Sequence, residues 1–237
     1  MRREYDRHES QNLGRTMEWL CFGHAGPWWL VFPTSQGRFF EFEERGMVDA
    51  LALPLEQGRL RLLCLDSVDS ESWYNQKAAP RLRIVRQKEY ERYVIDEVFE
   101  RAGILAGEGG VGALGCSFGG YHAMNLALRH PDCFTQAIAL CGVFDLTAFL
   151  GGYYDQDCYF NLPTHFLPRL EDPWHLERMR QNHYTLASGA DDQCLEQNRT
   201  LDRLLNEKQI PHRFDQWPLS HCHDWPAWQL MAKSYLG

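Results

Sequence analysis

The stretch that most constrains this chain is Val111-Gly112-Ala113-Leu114-Gly115-Cys116-Ser117-Phe118-Gly119-Gly120. It reads as a short buried strand, a sharp turn carrying one serine, and the first turn of a helix. A turn that tight has no room for side chains two positions to either side of the serine. Gly115 and Gly119 meet that demand in the pattern G-x-S-x-G, a nucleophile elbow. The N–H after the serine, that of Phe118, then points to where a negative oxygen forms when a carbonyl is attacked. The pattern arises by chance in about one chain of this length in ten, so its surroundings must decide.

The 237 residues suffice for one domain with a sizeable core and would leave two cramped, so a single domain over 1–237 is expected. Hydrophobic residues make up 44% and charged residues 24%, the balance of an ordinary globular protein. A net charge of -8 argues against a nucleic-acid partner, which needs a lysine and arginine excess on one face. No run approaches the roughly 18 apolar residues of a membrane span. Residues 1–9 are almost all charged and cannot be the apolar core of a signal peptide. The cysteines (21, 64, 116, 133, 141, 158, 194 and 222) form no C-x-x-C pair, and several sit in apolar runs. Reduced, buried thiols are therefore expected rather than a disulfide framework, which suits a cytoplasmic enzyme.

In chain order, 16–22 reads as an opening strand closed by Gly23 and Gly26-Pro27. Trp28-Trp29-Leu30-Val31-Phe32 is a continuous apolar run between two prolines, as in a strand covered on both faces of a parallel sheet. Residues 33–37 then form a loop at a strand's C-terminal end, where open α/β sheets place their chemistry. A helix over 43–51, a strand over 60–66 and a polar loop over 66–73 follow. Helical spacing runs from 81 to 102 and ends at Gly103. Glycines 107, 109, 110 and 112 lead into the elbow strand, and the helix after it, 121–129, stops at His130-Pro131. A strand over 136–141 precedes 151–181, where Pro163, Pro168 and Pro173 interrupt any long helix. That segment reads as an irregular or short-helical insertion, either a candidate lid or a plain surface connection. A strand over 183–188, an amphipathic helix over 195–208, a strand over 212–217 and a closing helix over 225–236 complete the chain. Strands alternating with helices predict α/β architecture with a mostly parallel sheet. No internal repeat is visible.

A serine hydroxyl is almost wholly protonated at neutral pH, so it needs a base, and the base needs an acid to fix its tautomer and stabilise its cation. In the α/β-hydrolase arrangement these arrive in the order Ser, Asp or Glu, His, each on a loop after a strand. Gly189-Ala190-Asp191-Asp192 and His221-Cys222-His223-Asp224 supply both in that order. Each alone has a duller explanation: a turn serine, a helix cap near residue 195, a surface histidine. Their ordered conjunction carries the reading. Spacing does not separate Asp191 from Asp192, nor His221 from His223.

These stretches resemble the esterase D branch of the α/β hydrolases, which includes the S-formylglutathione hydrolases. Feruloyl and acetyl-xylan esterases and mycobacterial mycolyltransferases are related to it. The elbow through Ala127-Leu128-Arg129-His130-Pro131 is similar to that family's elbow and helix. Glu71-Ser72-Trp73 resembles its E-S-W segment, and residues 90–97 its Y-V-x-x-E helix. Gly189-Ala190-Asp191-Asp192-Gln193 is similar to its acid loop, in which the second aspartate is catalytic; this implies Asp192. His223-Asp224-Trp225 matches its histidine and implies His223 over His221. The resemblance spans residue 28 to the C-terminus. Two departures stand out. Thr34-Ser35 replaces the family's glycine-leucine pair in the first oxyanion loop, so by position the second oxyanion N–H comes from Ser35, with Gln36 as the alternative. Cys116 stands where many relatives have histidine.

The resemblance implies an α/β-hydrolase fold and hydrolysis of a small carboxylic ester or thioester. Ser117 is the expected nucleophile, His223 the base and Asp192 its partner, with oxyanion donors Phe118 and Ser35 and no metal or organic cofactor. Trp73 is a candidate wall of the substrate pocket, or else a half-buried aromatic under a loop. Three other classes remain: an acyltransferase using the same residues, a non-catalytic binding protein of this fold, and a metal site at His221, His223 and Asp224, which lacks a distant ligand at known spacing.

Overall fold

A computed structural model describes residues 1–104, 110–219 and 221–237. Glycines 107 and 109, expected to lead into the elbow strand, lie outside the described residues. Eight strands form one sheet in the order β1-β2-β4-β3-β5-β6-β7-β8. They are β1 (Arg3–Ser10), β2 (Arg15–Phe22), β3 (Trp28–Phe32), β4 (Arg61–Leu65), β5 (Val111–Cys116), β6 (Phe134–Leu140), β7 (His183–Gly189) and β8 (His212–Trp217). β2 runs antiparallel to both β1 and β4, and every pairing from β4 to β8 is parallel.

The apolar runs explain the layering. β5 is buried along its whole length, and helices cover both faces of the sheet around it. The helix Pro80–Arg92 with its continuation, the elbow helix Phe118–Arg129 and the helix Leu195–Glu207 enclose one core. Short helices over 41–56 and the closing helix Trp225–Leu236 enclose the other, around Phe42, Met47, Trp228 and Met231. A smaller cluster of Trp73, Phe118, Tyr121, Leu146 and Leu150 lies outside these two layers.

Three elements differ from the sequence expectation. The charged N-terminus is a strand: β1 pairs with β2 over eight residues from Arg3↔Phe22 to Ser10↔Arg15. It has no apolar period because it is an edge strand, which buries only His8 and Ser10 and carries the charges that deter further pairing. The helix expected over 43–51 is three short ones, Glu41–Glu44, Met47–Ala50 and Ala52–Glu56, broken at Gly46 with φ +71°. The long helix is α-helical to Arg92 and then widens into a π-helical turn, Tyr93–Val98. Glu97 in that turn accepts hydrogen bonds from Ser10 Oγ (3.1 Å) and Asn12 N (2.7 Å), tying the β1–β2 hairpin to the helix.

The 151–181 segment folds into short helices, Gln156–Phe160, Pro163–Phe166 and Pro173–Gln181, two of which open on a proline at the first turn, where no N–H is needed. Cys158, Leu162, Phe166 and Met179 are buried, and Tyr121 Oη donates to Asn161 O at 3.0 Å, seating the segment on the elbow helix. All eight thiols are free. Among the described residues no helix is long and apolar enough to cross a membrane.

Candidate active site

The loops after β3, β4, β5, β6, β7 and β8 meet at one end of the sheet. Ser117 follows β5 with φ +54° and ψ -119°, a conformation that costs a non-glycine residue about 1–3 kcal/mol. The surroundings enforce it. Ser117 N donates to Leu140 O at 2.8 Å. A Cβ on Gly115 would meet Gly119 backbone at 2.1 Å, and one on Gly119 would meet Phe32 O at 2.2 Å and Pro33 O at 2.6 Å. The elbow glycines therefore admit β3's end and the turn itself at backbone contact. Because backbone carbonyls cannot swing aside, Gly119→Ala is expected to cost about 3 kcal/mol and to lower Tm by about 10 °C in calorimetry. An unchanged Tm would mean that the β3 end does not press on the elbow.

Three side chains converge at this point. Ser117 Oγ lies 2.8 Å from His223 Nε2, and His223 Nδ1 lies 3.0 Å from Asp192 Oδ1. Asp192 also accepts from Cys194 N at 2.8 Å and from Ser188 Oγ at 2.9 Å. Burial pushes its carboxyl up, but the hydrogen bonds from His223 and Cys194 N–H, with the Cys141 sulfur close by, outweigh this and hold the pKa at about 2. The neighbouring aspartate does something else: Asp191 Oδ2 accepts from His221 N at 2.9 Å, so it shapes the histidine loop from the exposed side. The His223 ring packs edge-on against Trp228 of the closing helix at 5.3 Å.

The loop after β3 separates Ser35 from Gln36. Gln36 N donates to Asp69 Oδ2 at 3.1 Å and Thr34 N to Glu41 Oε2 at 2.8 Å. Gly37 N donates to Thr34 O at 2.8 Å. Among the described residues the Ser35 N–H donates to no protein group, which leaves it available to a ligand. The Phe118 N–H, first in a twelve-residue helix, adds the positive end of the helix dipole.

The model of the Esterase family matches residues 66–231, more than half of the chain. The chain belongs to the Esterase family. Membership makes it a carboxylic ester hydrolase. No curated protein matches it by sequence. Among solved structures, a ferulic acid esterase superposes with TM-score 0.76 at 17% identity, covering 99% of this chain and 96% of its own. An S-formylglutathione hydrolase of Staphylococcus aureus gives 0.73 at 15% identity, covering 99% and 95%. MPT51 of Mycobacterium tuberculosis gives 0.66 at 18%, covering 100% and 97%. Identities this low bear on fold alone, and the shared fold is that of the α/β hydrolases.

In this esterase Trp73 is not a pocket wall. It is 1% exposed, its Nε1 donates to Gln87 Oε1 at 3.1 Å, and its ring packs edge-on against Tyr121 and Phe149. The next residue, Tyr74, takes the outward place. Half-buried, it packs on Phe118 at 5.2 Å and donates Oη to Ser35 Oγ at 2.8 Å. An indole at the end of a polar loop signals an aromatic anchor, but not which of two adjacent aromatics faces in. Cys116 points into the core shared with the closing helix, where burial holds its thiol well above the usual range, so it offers the site no nucleophile. His221 and Asp224 do not converge with His223 as ligands: both are exposed, and Asp224 Oδ1 caps the closing helix at Trp225 N. The one metal-capable cluster among the described residues is Cys141, Asp192 and His223, in which the last two are already bonded to each other. Strand and motif reasoning passed over Cys141 and Ser188, which lie beside Asp192, and Tyr74, which lies beside Ser35.

Proposed function

We propose that this esterase works through a Ser117–His223–Asp192 triad and an acyl-enzyme. His223 Nε2 takes the Ser117 proton as Oγ attacks the ester carbonyl, then returns it to the leaving alcohol. Water, deprotonated by the same imidazole, releases the acid. Asp192 orients His223 and stabilises its cation, and the N–H groups of Phe118 and Ser35 receive the oxyanion. The reading is carried by the continuous contact from Ser117 Oγ through His223 to Asp192, at 2.8 and 3.0 Å. Free thiols throughout favour a reducing, cytoplasmic setting.

A fluorophosphonate probe tests it. Peptide mass spectrometry is expected to find one adduct, on Ser117, formed in step with loss of p-nitrophenyl acetate hydrolysis. An adduct on another residue, or none, would refute the assignment. Repeating the hydrolysis with added alcohols separates a hydrolase from an acyltransferase: a transferase would turn acyl groups into new esters rather than free acid.

A further inference from the structure

We propose that the buried pair Asp69 and His122 are positioning residues that hold the loop after β3 so that the Ser35 N–H faces the oxyanion. The proposal rests on the Ser117 reading above. Asp69 belongs to the loop after β4, and His122 stands on the elbow helix five residues beyond Ser117. Both side chains are 0% exposed, with His122 Nε2 and Asp69 Oδ1 2.8 Å apart. The other oxygen of Asp69 accepts from Gln36 N at 3.1 Å. One carboxylate thus bridges the nucleophile's own helix to the loop expected to complete the oxyanion hole.

The three peptide planes of that loop are each fixed by a different contact. The 33–34 plane is held by Thr34 N on Glu41 at 2.8 Å, and the 34–35 plane by Thr34 O, which accepts from Gly37 N at 2.8 Å. Among the described residues the 35–36 plane is held by Asp69 alone. Gln36 sits at φ +57°, a left-handed conformation that a side chain disfavours, so without that anchor this plane has reason to turn. Turning it takes Gln36 out of the left-handed conformation that brings Gly37 N onto Thr34 O, so the 34–35 plane, which carries the Ser35 N–H, loses its own tether. The His122 ring is itself boxed in by Phe32, Tyr90, Phe118 and Tyr121, at centroid distances from 5.0 to 6.1 Å. Its Nδ1 has no partner among the described residues, so a proton on Nε2, facing Asp69, is the tautomer that buries no unsatisfied N–H. Phe118, which gives the other oxyanion N–H, packs on this ring at 5.3 Å and on Tyr74 at 5.2 Å, and Tyr74 in turn bonds Ser35 Oγ. Both donors therefore answer to one frame.

Asp69→Asn tests the anchor. An amide offers one acceptor oxygen to two converging donors and turns its NH₂ toward one of them. The expected result with p-nitrophenyl acetate is a kcat loss of about 30-fold with KM within about twofold, part of what losing one oxyanion donor costs. Affinity for trifluoroacetone, which Ser117 attacks to leave a tetrahedral oxyanion, should weaken by the same factor. His122→Phe, which fills the space and removes the donor, should act likewise, while His122→Gln, which restores an N–H near Nε2, should keep kcat within about threefold. Wild-type kcat and trifluoroacetone affinity in folded Asp69→Asn or His122→Phe would overturn the proposal. So would failure of both to fold, since the pair would then be core and not a positioning device. Ser117→Ala separates the two claims: an active Ser117→Ala defeats the underlying reading, whereas an inactive one beside an unimpaired Asp69→Asn defeats only this proposal.

Discussion

Ser117→Ala is expected to lower kcat for short p-nitrophenyl esters by about 10⁶-fold, while the protein stays folded. The two halves of this expectation have separate causes. Alanine removes the oxygen placed 2.8 Å from His223 Nε2, so the imidazole loses the hydroxyl it would activate. The backbone at position 117 keeps φ +54° because glycines and the Leu140 carbonyl impose it, not the hydroxyl. What stability loses is one part-buried hydrogen bond, about 1 kcal/mol, or a Tm shift of about 2–4 °C. Stopped assays at high enzyme concentration, with circular dichroism as the folding control, read both. A folded variant keeping more than about one hundredth of the wild-type kcat would mean that another group attacks the ester.

The sheet was legible because its inner strands are covered on both faces and so appear as unbroken apolar runs between turn residues. Trp28–Phe32 has the bounds that such a run predicts, and so, from turn and capping signals instead, do the outer strand His212–Trp217 and the helix Trp225–Leu236. The edge strand Arg3–Ser10 was not, because its partners are charges: Arg3 with Glu43 at 2.6 Å and Asp6 with Arg101 at 2.6 Å leave no periodic apolar face to read. At the site, order along the chain singled out one serine, an aspartate pair and a histidine pair. The resemblance then chose one member of each pair, and those two, Asp192 and His223, are the ones in contact with each other. Long-range hydrogen bonds were out of reach. Nothing local in Asp69 or His122 says that they lie 2.8 Å apart, fifty-three residues distant in sequence. Trp73 and Tyr74 show the same limit at close range, since a loop has no period to assign adjacent rings to inside and outside.

Asp192 gives the second large effect, and its two replacements should differ. Asp192→Ala removes both the charge facing the imidazolium and the acceptor that orients it, and is expected to cost about 10⁴-fold in kcat with KM little changed. Asp192→Asn keeps the shape. Because the Ser188 hydroxyl can turn and accept from the new amide, Oδ1 can still take the His223 Nδ1–H and the Cys194 N–H, so the useful tautomer survives. Only the charge is lost, an attraction of about 4 kcal/mol at an effective dielectric of 20, or about 10³-fold. Equal losses in the two variants would mean that charge, not orientation, is what Asp192 supplies. The same carboxylate sets an acid limit on stability. Its pKa falls from 3.8 to about 2 on folding, so the unfolded chain binds more protons between these values and stability rises with pH across that window. The contribution, about 2 kcal/mol, is complete above about pH 5, fades through the folded value and is gone below it. Denaturant midpoints measured from pH 5 down to pH 2 should therefore fall more steeply for the wild type than for Asp192→Asn, which has no proton to gain there; parallel curves would show that the carboxylate is not held ionised by its partners.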